Sequence, residues 1–383
     1  MSKGWVISSV VGMAVLAGVA ASSGCSGAVG SSGGGTSSSS GGGSSGGTGA
    51  CASPPAVENS VPPTGPQQCS SCSSGNSCSA AEPLDACCVW VAQSHDSLAD
   101  GTGLHRYSTS DTGAKPDLSC LGSPGSLGTP QTVTLTGYVW LFSSGVDSSN
   151  VQVDVFKENH PDAPDGSIDT TSLGTYKTST SDPVDPADTT WNSKCPDGCS
   201  YRQYTIPNVP TETPLVIRTS DGGGQQWATL YDYNVYFKNS DVQNGQVTYL
   251  ATAVAGPDLN TVAGTVGLTI QNGMGLLAGE VHDCSDIRLF GATVESSATH
   301  QGPMFYFTED EGNPLPSLET GDTSHLGLFG AMNLQPGVPI RVSATGKDPA
   351  NPGSFLMLGT YVVQVYPGAV TAISLRGRRP WQP

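Results

Sequence analysis

The chain has 383 residues, including 50 glycines and 28 prolines, and only 12% of its residues are charged. Its 32 acidic residues outnumber 15 Lys and Arg, which gives a formal net charge of −17. This balance argues against a nucleic-acid-binding protein, because such a protein needs a basic face for phosphates. The composition also argues against a coiled coil or helical bundle, and the length predicts two domains plus tails.

The N-terminus has the pattern of a secretory signal. Lys3 is followed by an uncharged, largely apolar stretch from Trp5 to Ala21, which is typical of an exported protein. One alternative is ordinary signal-peptide cleavage near Ala21. The other is an uncleaved membrane anchor, because a stretch of about 17 residues is at the short limit for crossing a bilayer.

The residues after this stretch resemble the lipobox of bacterial lipoproteins. Small residues lead into Gly24-Cys25, although Ser22 stands where Leu is usual. The resemblance implies removal of residues 1–24 and attachment of a diacylglycerol to the thiol of Cys25. Ser26 rather than Asp follows the cysteine, which by the Gram-negative sorting pattern implies the outer membrane.

A low-complexity tether follows the proposed lipid site. Residues 26–50 are Ser, Gly, Thr and Ala with the single exception of Val29, so they cannot form a core. Such a chain behaves as a coil with a mean span on the order of 25–30 Å. We therefore predict a flexible tether over 25–50 that holds a folded body away from a membrane.

The remaining ten cysteines predict a disulfide framework, centred on a Cys-rich segment at 51–128. An exported chain meets an oxidising compartment, and ten is an even number. The pairing is open, although the neighbours Cys87 and Cys88 are expected to bond to different partners. The candidates are Cys51, Cys69, Cys72, Cys78, Cys87, Cys88, Cys120, Cys195, Cys199 and Cys284.

Two other interpretations of these cysteines are weighed against disulfides. Cys69 and Cys72 have the spacing of a redox dithiol, but no strand-then-helix pattern surrounds them. Together with Cys78 and Cys87 they could hold zinc, which needs thiolates kept reduced. Cys195-Pro-Asp-Gly-Cys199 carries a turn signal and predicts a small closed loop.

From residue 131 the hydrophobic pattern changes to a period of two. Val133 and Leu135 alternate with threonines. The same alternation of apolar residues with other residues recurs at Val151, Val153 and Val155, and again at Leu215 and Ile217. Period two with β-branched residues predicts strands. Many short strands separated by turn residues predict a β-sandwich.

An internal repeat divides this region. Residues 204–218 and 329–342 share the order aromatic, apolar, Asn, apolar, a Pro-containing turn and a strand with Arg. Upstream, Gly137–Val139 corresponds to Gly279–Val281, and Val151–Val153 corresponds to Ala292–Val294. Two copies in one order predict two copies of one fold, with domains at 129–254 and 255–383.

The order of these motifs resembles the carboxypeptidase regulatory-like, or transthyretin-like, β-sandwich. The second copy carries Gly291–Val294, Thr323, Gly327–Phe329 and Asn333–Gly337. The first copy departs from the pattern through an insertion at about 157–200. The resemblance implies an all-β protein with two tandem Greek-key β-sandwiches, and it specifies a fold rather than an activity.

A short helix is predicted between the copies, beginning near Pro257. Its apolar residues at helical spacing are Leu259, Val262, Ala263, Val266 and Ile270. We expect this face to pack on the second domain, and Asn333–Gly337 to form a turn between strands. Residues 275–376 are expected to form an independent sandwich without a catalytic centre, so an isolated 257–383 fragment should give β-type circular dichroism and bind no metal.

No enzyme signature is present in the sequence, which lacks Gly-x-Ser-x-Gly, a Gly-rich phosphate loop and His-Glu-x-x-His. His282 begins His-Asp-Cys but has no second His nearby, so we predict a loop with Cys284 in a disulfide. A buried His282 or His300 within hydrogen-bond reach of a carboxylate and lining a cleft would reopen the hypothesis of an enzyme. An enzyme of intradiol dioxygenase type needs a close His pair, which the chain lacks. No catalytic residue, metal or cofactor is therefore predicted.

Two further groups of residues could bind a ligand. The acids of the insertion could hold Ca²⁺, although their spacing matches no known loop and a solvated loop is the simpler interpretation; they are Asp162, Asp165, Asp169, Asp182, Asp185 and Asp188. Trp227, Tyr231, Tyr233 and Tyr236 lie in an aromatic-rich stretch that either packs in the core or exposes a face for sugar stacking.

These observations predict a non-enzymatic lipoprotein at the outer membrane or cell surface. It would present its sandwiches for binding or structural spacing, with the membrane as partner through the lipid and an envelope polysaccharide or protein as a second partner. The alternative is a carbohydrate- or peptide-binding module that uses an aromatic sheet face. A metal-dependent enzyme is the third hypothesis.

Overall fold

The structure is a computed structural model. It describes residues 65–68, 88–91, 104–106, 115–121, 125–142, 147–159, 165–185, 200–221, 226–298, 301–308, 315–318, 320–377 and 379–381. For residues 65–68, 88–91, 105–106, 301–303 and 351–355 it describes the backbone only.

The described residues form an all-β structure with one α-helix and one 3₁₀ turn, as the sequence predicted. The first copy and the segment before it contain β1 (Gly65–Gln68), β2 (Cys88–Val91), β3 (His105–Arg106), β4 (Thr132–Leu141), β5 (Gln152–Lys157), β6 (Gly174–Lys177), β7 (Gln203–Pro210), β8 (Leu215–Ser220), β9 (Trp227–Ala228), β10 (Leu230–Val235), the 3₁₀ turn (Asn239–Asp241), β11 (Gln246–Thr248) and β12 (Ala251–Ala255). The second copy contains α1 (Gly256–Thr265), β13 (Gly275–Val281), β14 (Leu289–Phe290), β15 (Ala292–Ser296), β16 (Gln301–Phe307), β17 (Pro316–Ser317), β18 (Leu328–Leu334), β19 (Pro339–Asp348), β20 (Asn351–Gln364) and β21 (Val370–Leu375).

The internal repeat is visible in the strand pairing. In the first copy β4 lies between antiparallel β7 and parallel β11 and β12, and β8 lies between β5 and β10. In the second copy β13 lies between antiparallel β18 and parallel β21, and β19 lies between β15 and β20. The two copies therefore share one topology of two facing sheets.

Corresponding positions of the two copies have the same backbone features, namely a close strand approach at a glycine and a positive φ at an asparagine. A Cβ on Gly137 would lie 1.8 Å from the Tyr249 carbonyl oxygen, and one on Gly279 would lie 2.2 Å from that of Ile373. Only glycine permits so close an approach of the parallel neighbour. Asn208 and Asn333 both adopt positive φ, at 63° and 57°, which Asn tolerates better than most residues.

The two copies are joined into one sheet, which the sequence did not indicate. β10 pairs with β21 in parallel from Leu230–Val370 to Tyr233–Ile373. The result is a nine-stranded sheet in the order β17-β16-β18-β13-β21-β10-β8-β5-β6. The sheet with β10, β8 and β5 of the first copy thus meets the sheet with β18, β13 and β21 of the second copy edge to edge. The two copies therefore share this sheet.

Three hydrophobic cores hold these layers together. The first lies between the two sheets of the first copy and includes Leu135 and Ile217. The second lies under β15-β19-β20 and reaches across the joint to Phe156 and Val216 of the first copy. Because side chains alternate between faces of a strand, neighbouring Val216 and Ile217 can enter different cores.

The third core is formed by the predicted helix. α1 begins with Pro257 in its first turn and ends near Gly267, which has a φ of 69°. Ala263 and Val266 are buried, and the other predicted apolar residues pack beside them. The helix packs on the second copy, as predicted, but also on Leu230 and Val254 of the first copy. The turn after β18 is also confirmed, with Gly337 at a φ of 79° before β19 begins.

Candidate functional site

Most of the predicted covalent sites lie outside the described residues. This applies to Cys25 and to seven of the disulfide candidates, namely Cys51, Cys69, Cys72, Cys78, Cys87, Cys195 and Cys199. Cys88 begins β2, of which only the backbone is described. The remaining two candidates, Cys120 and Cys284, form a disulfide with a Cα–Cα distance of 5.5 Å.

This disulfide attaches the end of the Cys-rich segment to the second copy. The Cys284 amide donates to the Asp117 carbonyl at 2.8 Å, and the Asp117 amide donates to the Asp283 carboxylate at 3.0 Å. Further upstream, β3 pairs with β14, and Leu104 is buried in the core of the second copy. The segment before the first copy therefore packs against the second copy.

The aromatic stretch does not form an exposed face. Trp227, Tyr233 and Tyr236 are buried, with 5%, 1% and 6% of their surface exposed. Tyr231 is partly buried and stacks on Tyr366 at 3.9 Å between ring centroids. The strand has a bulge between Asp232 and Val235. The aromatic rings of this stretch pack in or against the hydrophobic cores. Sugar stacking on Trp227, Tyr233 or Tyr236 would require the core to open.

His282 lies in an ionic cluster directly after β13. Its Nε2 is 2.6 Å from the Glu280 carboxylate, and its Nδ1 is 2.7 Å from that of Asp286. Arg288 donates to Glu280, and Arg376 pairs with Asp286. The cluster thus alternates cationic and anionic side chains.

The cluster favours the charged forms of its members. Burial lowers the pKa of His282, but the hydrogen bonds to Asp286 and Glu280 outweigh it and raise that pKa overall. Burial has the opposite effect on a carboxyl group and raises the pKa of Glu280. The charges of Arg288 and His282 outweigh this effect and hold the pKa at about 2. Ionised carboxylates therefore face the histidine at neutral pH.

This geometry suits a structural role better than acid–base catalysis. A catalytic histidine needs a ring nitrogen within reach of the substrate proton. Both nitrogens of His282 are within hydrogen-bond distance of carboxylates, so neither is directed at a free surface. His282 has the carboxylate contact that would reopen the hypothesis of an enzyme, but carboxylates lie at both of its ring nitrogens. His300 lies outside the described residues.

The acids of the insertion are partly described. Asp182 accepts hydrogen bonds from the Tyr176 hydroxyl at 2.9 Å and the Ser179 amide at 2.7 Å, and Asp165 accepts one from the Ser167 amide. Asp162 and Asp188 lie outside the described residues. Within the described part of the chain no group of three or more His, Cys, Asp or Glu side chains has the geometry of a metal site.

A cavity of about 150 Å³ lies between α1 and the nine-stranded sheet. Its floor is the face of β16, β18, β13, β21 and β10, its roof includes Leu259 and Val262 of α1, and Phe142 closes one side. The cavity therefore lies at the joint between the copies. No local pattern in the sequence predicts this cavity, because the cavity depends on the shared sheet.

The walls of the cavity are mostly apolar. Phe142, Phe305 and Phe307 form an aromatic wall. The ring centroid of Phe307 lies 6.1 Å from that of Phe142 and 5.9 Å from that of Phe305. Edge-on contacts of this kind are favourable. Leu276 and Met332 continue the lining, and both are buried.

One end of the cavity is acidic. Asp232 of β10, Glu280 of β13, Thr252 and Ser374 lie there, and the Tyr249 hydroxyl donates to the Asp232 carboxylate. Burial raises the pKa of Asp232 to about 6, the Tyr249 hydrogen bond lowers it, and the charge of Glu280 raises it further. The cavity thus combines hydrocarbon walls with a carboxyl group.

Comparisons with known proteins give no family. No protein-family model matches the chain, and no curated protein matches it in sequence. Similar solved structures include the shaft pilin SpaA from Lactobacillus rhamnosus GG, at 8% identity and a TM-score of 0.18, and an Asp-to-Asn variant of that pilin, at 9% and 0.19. Both alignments cover 65% of this chain and 100% of the pilin chain, and similarity this low carries no argument about function. No helix in the described part of the chain has the length and apolar character needed to cross a membrane.

Proposed function

We propose that this protein is a non-enzymatic lipoprotein that presents a β-sandwich body for binding at the outer membrane or cell surface. The observation that carries the proposal is the order of three sequence features. An apolar export stretch ends in Gly24-Cys25, a tether at 26–50 follows, and a folded body begins beyond it. A lipid, a flexible spacer and a folded body together form an anchored module.

The absence of an enzymatic role is part of the same proposal. His282 has both ring nitrogens within hydrogen-bond distance of carboxylates. We also propose that both copies are sandwiches of the carboxypeptidase regulatory-like type. Support comes from the shared strand topology and from the glycine of each copy beside a parallel strand.

Replacing the lipid-bearing thiol tests the proposal. Cys25→Ser should move the protein from the membrane fraction to the soluble fraction of the compartment outside the inner membrane. Cys51→Ser is the matched control, since it removes another thiol and should leave the protein in the membrane fraction. Unchanged membrane association of Cys25→Ser would overturn the anchor.

Surface presentation is tested separately with intact cells. Protease added outside should cut the exposed tether and release the body, because flexible polar chain is the preferred site of cleavage. Protection in intact cells, together with cleavage in lysed cells, would overturn presentation at the surface.

A further inference from the structure

The cavity under α1 has the size and lining of a site for a small hydrocarbon group. Its volume is about 150 Å³, and apolar cavities of about that volume bind molecules the size of benzene. The aromatic wall of Phe142, Phe305 and Phe307 offers ring edges and faces to such a group. The first copy supplies Phe142 and the second supplies the other two, so the site exists only when the copies are joined.

The acidic end of the cavity determines which polar group a ligand needs. Glu280 is already balanced, because Arg288 donates to it and His282 lies 2.6 Å from it. No cationic side chain of the described residues forms a salt bridge with Asp232, although the charge of His282 favours its carboxylate. Its one described hydrogen-bond donor is the Tyr249 hydroxyl. A carboxyl group at an apolar wall is stabilised by a cation or donor brought from outside.

We infer that this cavity binds a small primary amine on a hydrocarbon ring or branched chain, with the ammonium group at Asp232 and the hydrocarbon between α1 and the sheet. The inference deepens the binding role proposed above and rests on it, but it does not depend on the lipid anchor. An anionic occupant would face both Asp232 and Glu280 at the same end. A neutral occupant of the same size would leave the Asp232 carboxylate without a cation in the cavity.

The test compares three probes of one shape on the full chain carrying Cys25→Ser, which avoids detergent in the cavity. The probes are benzylamine, benzyl alcohol and benzoate, measured by isothermal titration calorimetry at pH 7.5. We expect saturable one-to-one binding of benzylamine, at least tenfold weaker binding of benzyl alcohol and none of benzoate. Equal binding of all three, or no saturable binding of benzylamine, would overturn the inference.

Two variants locate the binding. Asp232→Asn should weaken benzylamine binding tenfold or more and leave benzyl alcohol binding within about threefold, since an ion pair adds this preference. Val262→Phe should fill the cavity and remove binding of both. Asp241→Asn, an exposed acid of the 3₁₀ turn, should bind like the parent.

Circular dichroism of each variant shows whether it folds, and a folded Asp232→Asn that keeps its preference for the amine would contradict the site. These outcomes are independent of the anchor. Cys25→Ser that stays with membranes would overturn the proposed location, whereas loss of amine selectivity would overturn only the ligand class.

Discussion

Asp232 is an acidic residue whose folded surroundings oppose its charge. Its pKa is raised to about 6 in the folded protein, chiefly by burial, whereas an unfolded Asp titrates near about 3.9. Between those values the folded state binds more protons than the unfolded state, so this residue makes stability fall as pH rises from about 4 to 6. A group that costs stability at neutral pH is typical of a binding or catalytic site.

Removing that charge should stabilise the protein. We expect Asp232→Asn to raise the free energy of unfolding by roughly 1–3 kcal/mol above pH 6, and the difference should shrink below pH 4, where the carboxyl group is neutral. Urea unfolding at pH 4, 5, 6 and 7.5 measures this. Asp241→Asn is the exposed control and should change stability by less than about 1 kcal/mol at each pH. A variant less stable than the parent at pH 7.5 would contradict the account.

Single residues differ in how much of their role can be read from sequence. Cys284 was predicted in a disulfide, and its bond to Cys120 confirms this. Glu280 and His282 are two apart at a strand end, so their contact follows from the period of a strand. Asp286 reaches the other ring nitrogen because the loop turns back, with Asp286 itself at a φ of 65°, and no periodicity predicts that turn.

Among the elements, the pairing of β10 with β21 changes the expectation that residues 275–376 are independent. β21 has β13 on one side and β10 on the other. The second core also includes Phe156, Val216 and Tyr236 of the first copy, and Tyr236 packs on Trp381 with 4.9 Å between ring centroids. A fragment without the first copy would expose this surface.

We therefore expect an isolated 257–383 fragment to be unstable, whereas a 115–383 fragment should fold. Uncovering several buried aromatic and aliphatic side chains costs on the order of 5 kcal/mol or more, which is comparable to the whole stability of a domain. Thermal unfolding followed by circular dichroism compares the two fragments. Equal melting temperatures would contradict the structural role of the shared sheet.

The strands, the helix and the repeat could be predicted because each has a local signal. Alternating Val133 and Leu135 predict β4, and the apolar face with Ala263 and Val266 predicts α1. The joint between β10 and β21 has no such signal, because edge pairing depends on residues about 140 positions apart. The cavity depends on that joint and could not be predicted either. The aromatic stretch was ambiguous partly for the same reason, since Tyr231, Tyr233 and Tyr236 contact aromatic residues of the second copy.

At the scale of the whole molecule, we propose a lipid anchor and a tether in front of a folded body. The body buries its aromatic residues at the joint, and the Cys-rich segment is fastened to the second copy through Cys120–Cys284. A net charge of −17 does not favour binding to anionic lipid headgroups, so the proposed attachment to a membrane depends on the N-terminus. The identity of the mature N-terminus therefore carries the central claim.

Mass spectrometry of the N-terminal peptide of the mature protein tests that claim most directly. The account predicts that the peptide begins at Cys25 and carries a diacylglycerol on its thiol. A mature chain that begins near Ser22 with an unmodified Cys25, or one that retains Met1, would contradict it.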